Sequence, residues 1–120
     1  MYESRENYLE TILILENKNG SVRSIDIAKA LDFSKPSVSH AVGLLKKSGH
    51  INIDSKGYIN LTDIGRKKAE SIYERHQILT KFFVETAKVS EEIAEKDACK
   101  VEHVISDETF QGIKEFMKKW

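Results

Sequence analysis

Cys99, Glu102 and His103 fall at i, i+3 and i+4, so on a helix a thiol, a carboxylate and an imidazole leave from one face. Sulfur, oxygen and nitrogen donors gathered in this way form a metal-ligand pattern. Divalent transition ions accept the mixture, whereas Mg²⁺ and Ca²⁺ prefer oxygen alone. The string is weak by itself, because a lone cysteine is usually a small hydrophobe of the core. Two other elements offer partners: Asn7 and Glu10 stand at i, i+3 on a first helix, and His76 stands on a long central one. Three helices converging on one ion would suit iron(II), manganese(II), cobalt(II) or zinc(II). As a nucleophile and base, Cys99 and His103 lack an orienting third group and an oxyanion pocket, so the chain is not expected to be an enzyme.

A second chemistry lies in the first half. Ser34 can cap a helix with Pro36 in its first turn, where a missing N–H costs little. Val38, Ala41, Val42 and Leu45 form the apolar stripe of that helix, which leaves Pro36, Ser39, His40, Gly43 and Lys47 on the opposite face. A small, polar exposed face is what a major-groove reader requires. Ser34, Lys35, Pro36, Ser37, Ser39 and His40 are candidates for the groove, with Pro36, Ser37 and His40 nearest base edges; Lys46, Lys47 and Lys56 are candidates for phosphates. His40 is equally well read as a solvent-exposed bystander, and His50 as a packed or half-exposed structural residue. Three-helix folds with a hairpin also serve as protein-interaction modules, which is the alternative to DNA.

These groups need elements to hold them. Tyr8, Leu9, Ile12 and Leu15 have amphipathic helical spacing, ended by Asn17-Lys18-Asn19-Gly20. Ser24 is expected to cap a short second helix and Asp32-Phe33 to turn the chain into the reading helix, Ser34 to Ser48. Ile51, Ile53, Tyr58, Ile59 and Leu61 flank the hairpin turn Asp54-Ser55-Lys56-Gly57, a short wing. Thr62 is expected to cap a long helix to about Thr86 that includes Ile64, Ala69, Ile72, Ile78, Leu79 and Phe82 among its apolar positions. Another helix is expected from Ser90 to about Ile105, and a last one capped by Asp107 and carrying Phe110, Ile113, Phe116, Met117 and Trp120. Helix, short helix, turn, helix and hairpin in that order is the winged helix-turn-helix pattern.

The 120 residues suffice for one compact domain or two small ones, and are too few for a large catalytic cleft. A hydrophobic fraction of 40% with 32% charged residues is globular, and no apolar run approaches the roughly 20 residues of a membrane span. Met1 to Glu6 lacks the layout of a secretory signal, and the single cysteine has no intrachain partner, so a reducing cytoplasm is expected. Net charge is zero, yet residues 34–58 carry four lysines against Asp54 alone, while residues 85–108 carry eight carboxylates against three lysines. One stretch suits phosphate and the other suits cations, although solvated helix faces would look the same.

The chain resembles the diphtheria toxin repressor and manganese transport regulator family, metal-dependent winged-helix repressors of bacteria and archaea. The resemblance is carried by Glu6-Asn7-Tyr8-Leu9-Glu10-Thr11-Ile12, Asp26-Ile27-Ala28, Ser34-Lys35-Pro36-Ser37-Val38-Ser39, Leu61-Thr62 with Gly65, Arg75-His76, and residues 97–106 around Cys99, Glu102 and His103. It implies a mainly α fold, with a winged helix-turn-helix DNA-binding domain over residues 1–70 and a helical metal-binding and dimerisation domain over residues 71–120. It further implies a homodimer on a palindromic operator, repressing metal-uptake genes when the ion is bound. Closing at Trp120, the sequence is similar to the short form without an SH3-like domain.

Carried over by position, the resemblance assigns metal binding to Cys99, Glu102 and His103 with Asn7, and to His76 and Glu10 at that site or a neighbouring one. It assigns the dimer interface to Val101, Val104, Ile105, Phe110, Ile113, Phe116 and Met117. Asn7 departs from the pattern, standing where iron-type members have methionine and manganese-type members aspartate. Cys99 resembles the iron type and Glu10 the manganese type, while Thr80 and Glu95 replace two ancillary ligands of the iron type. Fe²⁺ is the expected ion and Mn²⁺ the next, with Zn²⁺, Co²⁺ or Ni²⁺ able to substitute in vitro. Binding is expected to tie the amino-terminal and carboxy-terminal halves together, matching a pair of reading helices to a groove repeat of about 34 Å. The rival expectation is a metal-independent winged-helix regulator in which Cys99 is a redox sensor or a core residue.

Overall fold

A computed structural model describes residues 5–119. Met1 to Ser4 and Trp120, which figured in the sequence reading, lie outside the described residues. The elements are α1 (Arg5–Asn19), α2 (Ser24–Leu31), α3 (Lys35–Lys47), β1 (Ile51–Ile53), β2 (Ile59–Leu61), α4 (Asp63–Ala87), α5 (Glu91–Val101) and α6 (Asp107–Lys118). Two compact units result, Met1–Glu70 and Ser71–Trp120, with the boundary inside α4.

In the first unit α1 is not the amphipathic helix its spacing suggested but is buried over consecutive residues from Asn7 to Leu13, and it packs with the apolar stripes of α2 and α3, burying Tyr8, Leu9, Ile12, Ile27, Leu31, Val38, Val42 and Leu45. Removing these side chains from water is the main stabilising contribution, roughly 1.5–3 kcal/mol for each large one. Asp32, in the left-handed region at φ 55, turns α2 into the loop before α3. Ser34 caps α3 by accepting the Ser37 N–H at 3.3 Å. The strands pair antiparallel with Ile51 opposite Leu61 and Ile53 opposite Ile59, and Ile59 also donates its N–H to the Val22 carbonyl at 2.7 Å. Tyr58, expected in the strand, lies just before β2. Thr62 caps α4 as expected, since its hydroxyl accepts the Gly65 N–H at 3.1 Å.

The second unit packs α4, α5 and α6 around Leu79, Ala98 and Phe110, with Ile78, Phe83, Val101, Ile105 and Ile113 partly buried against them. Lys88, at φ 59, takes the left-handed position just past the end of α4.

Four local expectations are corrected. Arg23, not Ser24, is the cap of α2: the Asp26 carboxylate accepts the Arg23 N–H at 2.9 Å, and Ser24 is already helical. Ser106, not Asp107, caps α6 by accepting the Thr109 N–H at 3.2 Å. Ile64, taken as an apolar position of the long helix, is exposed. Most consequentially, α5 stops at Val101 rather than near Ile105, and the Arg75 guanidinium donates to the carbonyls of Glu102 and Ile105 just past its end, at 3.3 and 3.2 Å. The chain tightens there instead, with the N–H groups of Val104 and Ile105 both donating to the Val101 carbonyl.

Candidate metal centre and DNA-reading face

Glu102 stands at the end of α5, its N–H donating to the Ala98 carbonyl at 2.9 Å. Its carboxylate is fully buried and meets two imidazoles. Oε2 lies 3.0 Å from Nδ1 of His76, carried by α4, and Oε1 lies 3.2 Å from Nε2 of the neighbouring His103. The His103 side chain is 1% exposed and that of His76 21%, so the cluster is dry on one side and reachable on the other. The backbone around His76 is firm, because the buried Thr80 hydroxyl donates to the His76 carbonyl at 2.7 Å.

An ionised carboxylate with no exposure needs cationic or hydrogen-bonding company. Two imidazole nitrogens and a carboxylate are also the donor set that suits divalent iron or manganese, with positions left open. The chemistry of these residues therefore fits a transition-metal ion, with His76 and Glu102 available to hold it and His103 beside the same carboxylate.

The other expected ligands are placed differently. Cys99 is half-buried on α5, and among the described residues neither it nor His103 belongs to a group of three His, Cys, Asp or Glu side chains whose ligand atoms all lie within 4.8 Å of one another. Glu102 and His103, expected on the same helix as Cys99, sit in the turn beyond it. Asn7 and Glu10 are in the first unit, both buried on α1. Of the two ancillary positions, Thr80 is buried and Glu95 exposed. Arg75 is the residue that sequence reasoning missed. Its one signal was to precede His76 in the quoted Arg75-His76 string, and nothing local said what the guanidinium would reach.

The residues expected at a dimer interface divide into two groups. Phe110 is spent on the core of its own unit, and Val101, Ile105 and Ile113 pack against that core. Val104 and Phe116 are exposed, and Met117 is half-buried. Phe82 and Thr86 of α4, with Thr109, Gly112, Ile113 and Phe116 of α6, line an open apolar groove of about 440 Å³. Phe82 and Phe116 meet edge to face across it, their ring centroids 6.1 Å apart.

On the first unit, Ser34, Lys35, Pro36, Ser39, His40, Lys46, Lys47 and Lys56 are all exposed, and Ser37 is half-buried. Ser24, Ile25, Lys35, Val38 and Ser39 line a cleft of about 370 Å³ where α2 meets α3. A cation absent from the sequence reading joins this face. The Arg23 guanidinium lies 4.4 Å over the Tyr58 ring, which sets it beside the wing. His50, read as structural, has Nδ1 2.7 Å from the Ser48 hydroxyl.

At the wing tip the Asp54 carboxylate accepts the N–H groups of Lys56 at 2.9 Å and Tyr58 at 3.0 Å. The bond from Tyr58 first, then that from Lys56, holds the Asp54 carboxyl below its ordinary value. A depressed folded-state pKa means that the carboxylate stabilises the turn at neutral pH, and that this contribution is lost as pH falls through the folded value. In an NMR titration Asp54 should titrate below the ordinary aspartate range, with the Lys56 and Tyr58 amide resonances moving alongside. A midpoint at the ordinary value would show that the turn is not held in this way.

Comparison with known proteins covers the whole chain. Residues 1–64 match the family model described as iron dependent repressor, N-terminal DNA binding domain, and residues 62–120 match iron dependent repressor, metal binding and dimerisation domain. A helix-turn-helix-type transcriptional regulator of Methanocaldococcus jannaschii, itself uncharacterised, is 33% identical over 100% of this chain and 97% of its own. The transcriptional regulator MntR of Escherichia coli is 35% identical over 95% of this chain and 73% of its own. In fold, the crystal structure of T. acidophilum IdeR superposes with a TM-score of 0.87 at 21% identity, covering 98% of this chain and 55% of that one. Among the described residues no helix is long and apolar enough to cross a membrane.

Proposed function

Because this chain belongs to the iron-dependent repressor family of metal-dependent transcriptional regulators, which takes in the diphtheria toxin repressor and manganese transport regulator types, we propose that it binds a palindromic operator as a homodimer when loaded with metal and represses metal-uptake genes in the cytoplasm. The observation that carries this reading is the fully buried Glu102 carboxylate between two imidazoles, in the half of the chain that matches a metal-binding and dimerisation domain.

His76, Glu102 and His103 would hold the ion, and the part expected of Asn7, Glu10 and Cys99 rests on the resemblance. Once bound, the metal supplies a double positive charge and directed coordination where the carboxylate and imidazoles otherwise face one another. Fe²⁺ is favoured and Mn²⁺ comes next. That order depends on Cys99, because a thiolate donor selects against manganese whereas a nitrogen and oxygen set accepts it. Cys99→Ala should therefore move the preference towards manganese.

Ser34, Lys35, Pro36, Ser37, Ser39 and His40 at the start of α3 would face base edges. Lys46, Lys47 and Lys56, with Arg23, would meet phosphates. The open groove beside Phe116, with Val104 and Met117, supports a second copy as the partner, since a soluble monomer rarely leaves such an apolar face uncovered.

The test is an anaerobic gel shift of a palindromic promoter fragment with graded Fe²⁺, Mn²⁺ and Zn²⁺. Retardation should require metal and appear at the lowest concentration with Fe²⁺. Retardation that is equally strong in chelator would favour the metal-independent regulator.

A further inference from the structure

We infer that Arg75 is a positioning residue of the metal centre, holding the turn that carries Glu102 and His103 and anchoring it to the start of α6; the inference rests on the metal-binding reading above. Its guanidinium makes four contacts. Nη1 donates to the carbonyls of Glu102 at 3.3 Å and Ile105 at 3.2 Å, Nη2 pairs with the Asp107 carboxylate, and the group lies 5.3 Å over the Phe110 ring. The Arg75 side chain is only 18% exposed, although Asp107 is 85% exposed.

Carbonyls at the end of a helix lose their intrahelical partners, and a cation there also complements the helix dipole. Arg75 meets both needs at the end of α5. The residue whose carbonyl it grips, Glu102, is the same one whose carboxylate faces His76 and His103. With its main chain gripped, Glu102 has few ways to reorient its side chain, so less ordering is left for the moment of binding. Arg75 also precedes His76 directly on α4. One turn of that helix thus sets both the imidazole and the turn that presents the opposing carboxylate.

A planar fork is needed to span two carbonyls and a carboxylate, and the point charge of lysine cannot reproduce it. The experiment is an anaerobic Co²⁺ titration of the full chain, reading apparent affinity and the d–d absorption bands, with far-UV dichroism and thermal unfolding as controls. Arg75→Lys should remain folded yet bind Co²⁺ about 10–100-fold more weakly, the usual loss for a group supporting a ligand, with its bands displaced. Asp107→Asn, which keeps both carbonyl contacts, should weaken binding by a smaller factor. Lys114→Met, which removes the ion pair to Glu74 at 3.1 Å between the same two helices, should leave affinity and bands as in the wild type. Arg75→Lys with wild-type affinity and spectrum overturns the inference. If Arg75→Lys does not fold, an Asp107→Asn protein indistinguishable from wild type overturns it equally. A wild-type chain that shows no cobalt bands overturns the metal reading and this inference with it.

Discussion

Glu102→Gln should abolish metal-dependent operator binding while leaving a folded dimer. The substitution keeps shape and removes charge at a position with no solvent exposure, between Nδ1 of His76 at 3.0 Å and Nε2 of His103 at 3.2 Å. A carboxamide is a neutral, weak ligand. Its effect on metal affinity should exceed the loss for an outer-sphere partner, so a fall of about 100-fold or more is expected, equal to about 2.8 kcal/mol. Stability should move the other way. A buried carboxylate must be compensated by its neighbours, and a neutral isostere needs less compensation, so the metal-free variant should unfold at or above the wild-type midpoint. Isothermal titration with Mn²⁺ or Co²⁺, thermal unfolding and the gel shift together check this. A variant that still responds fully to metal would remove Glu102 from the centre of the site.

Much of this architecture was legible because it is written locally. The Ser34 and Thr62 caps, the apolar stripe of α3 and the Asp54 to Gly57 turn each depend on residues within seven positions of one another, and the structure keeps them. The end of α5 was not legible. Nothing between Val101 and Ser106 forbids another helical turn; the carbonyls past the stop are met by Arg75, about 30 positions upstream, and periodicity carries no information about such a contact. The α2 cap shows the same limit at short range, since Ser24 is the better capping residue by type, while the Asp26 side chain turned back to Arg23 decides the outcome.

The candidate site was legible as a set of residue types, while the end of the helix that carries it was not. Spacing on one helix pointed to Cys99, Glu102 and His103 together. With α5 ending at Val101, Glu102 and His103 follow its last residue, the Glu102 carboxylate faces His76, and Cys99 lies within the helix. Phe110, expected at a dimer interface, is buried in the core of its own unit. An apolar stripe on α6 tells which residues are buried, but not whether they are buried within the unit or against a partner.

Gly65→Ala should be the most destabilising small substitution in the first unit. In an ordinary helix interior this change stabilises by up to about 1 kcal/mol, because glycine has more freedom to lose on folding. Here the sign reverses. A Cβ at position 65 would come within 1.8 Å of the His50 carbonyl oxygen and 2.8 Å of its carbon, both backbone atoms that cannot rotate away. That carbonyl already accepts the Thr62 N–H at 3.1 Å, and the His50 N–H donates to the Leu45 carbonyl at 3.0 Å. The Thr62 hydroxyl meanwhile bonds the Gly49 carbonyl at 2.6 Å. Making room therefore means breaking the junction that seats the wing against the start of α4. A cost of about 3 kcal/mol is expected, enough to lower the unfolding midpoint by roughly 10 °C or more. Operator affinity should fall as well, because the wing presents Lys56. Gly43→Ala is the built-in control: a Cβ there meets nothing within 4 Å, so its midpoint should hold or rise. If Gly65→Ala were as stable as Gly43→Ala, the close approach of α4 to His50 would not be what positions the wing.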